Sequence, residues 1–159
     1  MESIKVGMAE YRVALAPERL QSIGLGSCLG IVLYDTKHRI GGLAHIMLPR
    51  RSEGKVKNNP ARYADSAVAL MLEEMRALGA HESRIVAKVF GGANMFPMIT
   101  STQASIGLRN YTVTAEELAA RKIPVVAVDV GGHCGRSILF DLSNGIVHIR
   151  MATGQEARF

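Results

Sequence analysis

Cysteine is scarce in this chain, and tryptophan is missing altogether. Only Cys28 and Cys134 occur among 159 residues, too few for a disulfide framework. Neither lies in a Cys-x-x-Cys pair or at zinc-site spacing from a histidine, and His38, His45, His81, His133 and His148 are scattered. No metal site is expected. With four tyrosines, four phenylalanines and no tryptophan, nothing resembles a base-stacking platform, so the net charge of +5 alone is a poor reason to expect nucleic-acid binding. No uninterrupted apolar run is long enough to cross a bilayer, and no charged-then-apolar leader opens the chain.

What is present suits an ordinary globular protein. Hydrophobic residues make up 48% of the chain and charged ones 21%, and the length fits one domain over residues 1–159 with a substantial core. The positive charge is dispersed except at Arg50, Arg51, Lys55, Lys57 and Arg62, relieved only by Glu53. Such a loop suits an acidic protein surface as well as phosphate.

Short alternating segments predict strands at Ile4–Met8, Tyr11–Ala16, Leu29–Asp35, Arg39–Leu48, Arg84–Phe90, Val125–Val130, Arg136–Asp141 and Gly145–Met151. Asn59-Pro60 reads as a helix N-cap and first helical residue. Tyr63, Ala67, Leu70, Met71, Met75 and Leu78 form the apolar stripe, and Gly79 ends it. A second helix falls within Ser105–Lys122, starting either near Ile106 or at the capping-box pattern Thr114-Ala115-Glu116-Glu117. Asn144-Gly145 marks a hairpin turn. Strands at both ends with two helices between predict an α+β fold, a layered sandwich of largely antiparallel strands.

The informative local feature is Gly24-Leu25-Gly26-Ser27-Cys28, followed by Ala44-His45-Ile46-Met47-Leu48-Pro49. A turn at Lys37-His38, or a four-residue loop over 36–39, sets Asp35 opposite Ile40. Either then sets His45 opposite Gly30 and, if pairing persists that far, Met47 opposite Cys28. Residues opposite one another share a face, so Cys28 and His45 become diagonal neighbours with Cα atoms roughly 7–8 Å apart. Gly30 leaves room for the imidazole. A thiol needs a base to become the nucleophilic thiolate, and glycines before it leave backbone N–H groups of Ser27 and Cys28 free to hold an oxyanion. An exposed reactive thiol suits a reducing cytoplasm.

These motifs resemble the CheD family of chemoreceptor glutamine deamidases. Arg62-Tyr63-Ala64-Asp65, Phe90-Gly91-Gly92-Ala93-Asn94-Met95-Phe96, Ile106-Gly107-Leu108-Arg109-Asn110, and Asp129-Val130-Gly131-Gly132 followed by Gly135-Arg136 extend the likeness in the family's order. The resemblance implies a sandwich related to toxin-type cysteine deamidase domains. It also implies hydrolysis of glutamine side-chain amides on the cytoplasmic helices of methyl-accepting chemotaxis receptors, with no cofactor. It makes Cys28 the nucleophile and His45 the acid–base. Ser22 stands where the family typically has a threonine, keeping the hydroxyl without the β-branch that stiffens χ1, and would orient the imidazole. The resemblance further implies a CheC-type phosphatase as partner, which leaves a non-enzymatic adaptor as the alternative function. Arg50, Arg51, Lys55 and Lys57, just beyond Pro49, are candidates for docking an acidic helical substrate. Arg109-Asn110 could position substrate or tie down a helix, with the structural role favoured, and the glycine pairs read as tight turns or close backbone approaches rather than phosphate cradles.

Overall fold

A computed structural model describes residues 2–55, 58–95 and 106–159. Strands β1 (Ile4–Lys5), β2 (Glu10–Leu15), β3 (Arg19–Leu25), β4 (Leu29–Asp35) and β5 (Ile40–Ile46) precede helix α1 (Ala64–Ala77). After β6 (Ile85–Gly91) come α2 (Ile106–Ala120), β7 (Val125–Val130), β8 (Arg136–Asp141), β9 (Ile146–Met151) and β10 (Glu156–Arg158). The strands form two five-stranded sheets, ordered β1-β3-β8-β9-β10 and β2-β5-β4-β6-β7. Among the described strands β1–β3 and β6–β7 pair in parallel, and Leu48 and Tyr63 form an isolated parallel bridge. The fold is thus α+β with largely antiparallel pairing.

The central strands β4 and β5 are buried along their whole length because both faces are covered. One face, with Ile31, Leu33, Ala44 and Ile46, packs under Val68, Met71 and Met75 of α1 and Val113 and Leu118 of α2. The other, with Val32, Tyr34 and Leu43, meets Leu20, Ile138 and Phe140 of the second sheet. Burial of this kind contributes about 25 cal/mol per Å² of apolar surface.

The hairpin register agrees with the sequence-based expectation, with Asp35 paired to Ile40 and Gly30 to His45. The turn closes through Arg39 N–H to the Asp35 carbonyl at 2.9 Å. Buried Asp35 accepts the N–H groups of Lys37 and His38 at 3.0 Å and of His81 at 2.8 Å. Burial alone would push its carboxyl up, but these donors together hold it below the usual carboxylate range.

Several expectations need correction. Asn59 does cap, its side chain accepting the Ala61 N–H, but Pro60 opens a short 3₁₀ turn rather than the α-helix. α1 itself begins at Ala64 and buries Ala64, Ala67, Val68, Met71, Leu72 and Met75. Leu70 is therefore off the buried stripe, and Leu78 is exposed. Gly79 ends the helix as expected, at φ +107°, with Ala80 N–H reaching back to the Met75 carbonyl at 2.9 Å. α2 starts at Ile106 rather than at Thr114. Ser105 and Phe96 lie outside the described residues. Strand β3 was not expected, because its inward positions hold Ser22 between Leu20 and Leu25 while Ile23 faces solvent. Nor was β10, an exposed Glu-Ala-Arg segment held only by pairing to β9.

Candidate active site

Cys28 sits where the chain leaves one sheet for the other. β3 ends at Leu25 and β4 begins at Leu29, so Gly26-Ser27-Cys28 is the crossover. All three of its carbonyls are held: Gly26 accepts from Ala93 N–H at 2.8 Å, and Cys28 from Gly92 N–H at 2.9 Å. Ser27 accepts from Asn110 Nδ2 at 3.0 Å. Among the described residues, the N–H groups of Ser27 and Cys28 donate to no backbone carbonyl outside the regular ladders.

Two glycines make this crossover possible for different reasons. Gly24 adopts φ +74° with open space around it, so its requirement is conformational. Gly91 adopts φ +106°, and a Cβ there would lie 2.5 Å from the Cys28 carbonyl oxygen. The second glycine of the expected Gly24/Gly26 pair is less open than foreseen. A Cβ on Gly26 would meet the Met95 side chain at 3.3 Å.

The ladder between β4 and β5 ends at Leu29–Ile46, one residue short of Cys28. Beyond it Met47 N–H turns to the Arg62 carbonyl at 2.9 Å. The shared face nevertheless holds. Cys28 packs on the inter-sheet core, and a side chain at Gly30, opposite His45, would point into the same space, toward Ile138 and Leu25. His45 is 1% exposed. Neither of its ring nitrogens reaches a hydrogen-bond partner among the described residues, Cys28 included.

Burial sets the charge state of both groups. It pushes the Cys28 thiol up, against the pull of the residue's own backbone N–H. It pushes the His45 imidazole down, against the Val6 carbonyl and the Glu10 charge across the ladder. At rest Cys28 is accordingly a neutral thiol and His45 a neutral imidazole.

Ser22 is buried, but its hydroxyl donates to the Val6 carbonyl at 2.7 Å rather than to His45. That carbonyl is the one that also acts on the imidazole. Ser22 therefore makes no hydrogen bond to His45 among the described residues, although both side chains lie against the Val6 carbonyl on the segment after β1.

The family described as "CheD chemotactic sensory transduction" matches residues 47–151. A protein of Moorella thermoacetica named "Probable chemoreceptor glutamine deamidase CheD" is 45% identical over 151 residues, 94% of this chain and 90% of that one. The chain belongs to the CheD family. Proteins of the same name from Desulforamulus reducens and Pyrococcus horikoshii are each 43% identical, covering 92% and 96% of this chain and 89% and 94% of theirs. The crystal structure of Bacillus licheniformis hypothetical protein YfiH superimposes at TM-score 0.48 with 14% identity, over 76% of this chain and 49% of that one.

The remaining CheD-like motifs surround the crossover. Gly131 N–H donates to the Gly91 carbonyl at 2.9 Å, and Asn94 N–H to the Gly132 carbonyl at 2.8 Å. Buried Arg136 donates to the carbonyls of Asp129 and Gly131 and lies 3.5 Å from the Asp129 carboxylate. Gly91-Gly92 is thus a close backbone approach, whereas Gly131 (φ +86°) and Gly132 (φ +69°) have room around them and are turn positions. Cys134 donates its thiol proton to the Gly135 carbonyl at 3.3 Å.

The basic loop is more committed than the sequence suggested. Arg50 pairs with Glu116 of α2 at 2.6 Å and with Glu53 at 3.6 Å, and Arg109 pairs with Glu53 at 2.8 Å. Arg51 N–H donates to Asp65 Oδ1 at 3.1 Å. Lys55 is exposed, and Lys57 lies outside the described residues.

Proposed function

We propose that this chain is a chemoreceptor glutamine deamidase in which Cys28 and His45 carry the chemistry. The observation that supports this most is the register that sets His45 opposite Gly30, two residues from Cys28 and on the same inter-sheet face.

His45 takes the thiol proton as Cys28 sulfur attacks the side-chain amide carbon of glutamine. The oxyanion accepts hydrogen bonds from the N–H groups of Ser27 and Cys28. The imidazolium then protonates the amide nitrogen, ammonia leaves, and a thioester remains. Neutral His45 next takes a proton from water, whose oxygen attacks the thioester carbon. The C–S bond breaks, Cys28 is reprotonated, and glutamate is released. Ser22 holds the Val6 carbonyl against the imidazole and so orients it indirectly.

On this reading, residues 1–159 act as one cytoplasmic deamidase domain of the toxin-type cysteine class. The substrates are cytoplasmic helices of chemotaxis receptors. Arg50, Arg51, Lys55 and Lys57 are the substrate-docking residues, and a CheC-type phosphatase is a binding partner.

Mass spectrometry of a receptor cytoplasmic fragment incubated with wild type, Cys28→Ala and Cys134→Ala tests the reading. Glutamine-to-glutamate conversion is expected with wild type and Cys134→Ala and is expected to vanish with folded Cys28→Ala. Conversion by Cys28→Ala would overturn it.

A further inference from the structure

The motif Ile106-Gly107-Leu108-Arg109-Asn110 contains one exposed and one buried polar side chain, and they differ in what they do. Arg109 makes a half-exposed ion pair with Glu53. Asn110 is 0% exposed, and its single amide nitrogen spans two chain segments, donating to the Ser27 carbonyl at 3.0 Å and to the Met47 carbonyl at 3.1 Å. Ser27 precedes the thiol residue, and Met47 lies two residues after His45.

This bridge stands where the backbone has stopped doing the same job. The β4–β5 ladder ends at Leu29–Ile46, so no rung joins the Cys28 crossover to the end of β5. The primary amide has two N–H donors, and they match the two carbonyls. A flipped amide would set oxygen against oxygen, so the pair of acceptors also fixes its orientation. The helix can approach this closely because Gly107 has no side chain: a Cβ there would lie 2.5 Å from the Gly92 carbonyl oxygen. The Asn110 backbone is braced in turn, its carbonyl accepting the Thr114 hydroxyl at 2.8 Å. The Asn110 side-chain oxygen has no partner among the described residues. A site built only for stability would pair or remove a buried acceptor of that kind.

We infer that Asn110 is a positioning residue for the deamidase site, setting the Cys28 crossover against the strand that carries His45. The inference rests on the deamidase reading for its meaning, but its geometry can be read without any substrate. Asn110 touches neither reactant. It acts through two carbonyls, one on each side of the thiol–imidazole pair.

The test uses proteins carrying Cys134→Ala, so that one thiol reports. Asn110→Asp keeps the shape and leaves at most one donor for the two carbonyls; Val113→Ala, in the same helix, is the control for simple loss of packing. The rate of Cys28 alkylation by iodoacetamide is measured with and without His45→Ala, together with kcat and KM on a receptor fragment. Asn110→Asp is expected to slow alkylation on the order of tenfold, as His45→Ala does, with no further loss in the double variant. Its kcat should fall about 100-fold while KM stays within about threefold. Val113→Ala should melt earlier and leave both readouts near wild type. Wild-type alkylation and kcat in folded Asn110→Asp, or additive losses in the double variant, would overturn the assignment. If Asn110→Asp does not fold, Asn110→Ser goes through the same measurements. If neither folds while Val113→Ala does, Asn110 is a folding residue and the assignment is wrong. Coupled alkylation losses with no receptor conversion by wild type would instead sink the deamidase reading and leave the positioning role standing.

Discussion

Gly30 faces His45 across the β4–β5 ladder, and the Cβ it lacks would lie 2.9 Å from Ile138 Cδ1 and 3.0 Å from Leu25 Cδ1. The glycine is therefore what lets the second sheet close over the imidazole. Gly30→Ala must push two side-chain ends aside, and the overpacking is partly offset by a stiffer unfolded chain, for a net loss of about 1 kcal/mol. Gly91→Ala meets the Cys28 carbonyl oxygen at 2.5 Å with φ +106° and cannot relieve the clash by a rotamer change. Its cost is expected to be about 3 kcal/mol or more. Urea unfolding of both variants checks the ranking, and a Gly91→Ala protein as stable as Gly30→Ala would refute it.

Ser22 and His45 differ in what their loss removes. Ser22→Ala deletes a 2.7 Å bond to the Val6 carbonyl and is expected to cost about 1 kcal/mol in stability while leaving partial deamidation. His45→Ala removes the group that moves protons on this reading and should leave none detectable. Equal, complete loss in both folded variants would mean that the roles are ranked wrongly.

The pH profile of kcat/KM follows from a neutral resting pair. His45 is held below the ordinary imidazole range, first by burial, so it remains a competent base at pH values where a free imidazole, with pKa about 6.5, is half protonated. The acid limb should therefore lie below that value, and the thiol, pushed up by burial, should not titrate near neutrality. Rates from about pH 5 to about pH 9 locate the acid limb and check that no thiol limb appears near neutrality. An acid limb at or above the ordinary imidazole value would contradict the buried, neutral His45.

The basic rim should affect encounter with substrate rather than chemistry. Reversing Arg51 and Lys55 to glutamate is expected to slow receptor deamidation at low salt, with the deficit shrinking as salt screens the wild-type attraction. Alkylation of Cys28 by a neutral reagent should barely change. Arg50→Glu would break the 2.6 Å pair with Glu116 that ties this loop to α2. An unchanged low-salt rate in the Arg51/Lys55 variant would move the docking surface elsewhere.

What the sequence determined by itself is local: a hairpin whose turn and alternation set Asp35 against Ile40, and hence His45 against Gly30. One face then holds both Cys28 and His45, because strand side chains alternate with period two. The strand β3 escaped, since its inward run from Leu20 to Leu25 is broken by Ser22 and a register shift while Ile23 faces solvent. Only the tertiary structure decided which groups close the site. Val6 lies 16 residues from Ser22, and Asn110 lies 83 residues from Ser27 and 63 from Met47. Such contacts leave no periodicity in the chain. They exist because two sheets and a helix pack together, and a buried hydroxyl or amide must then bond to whichever carbonyl the packing brings within reach.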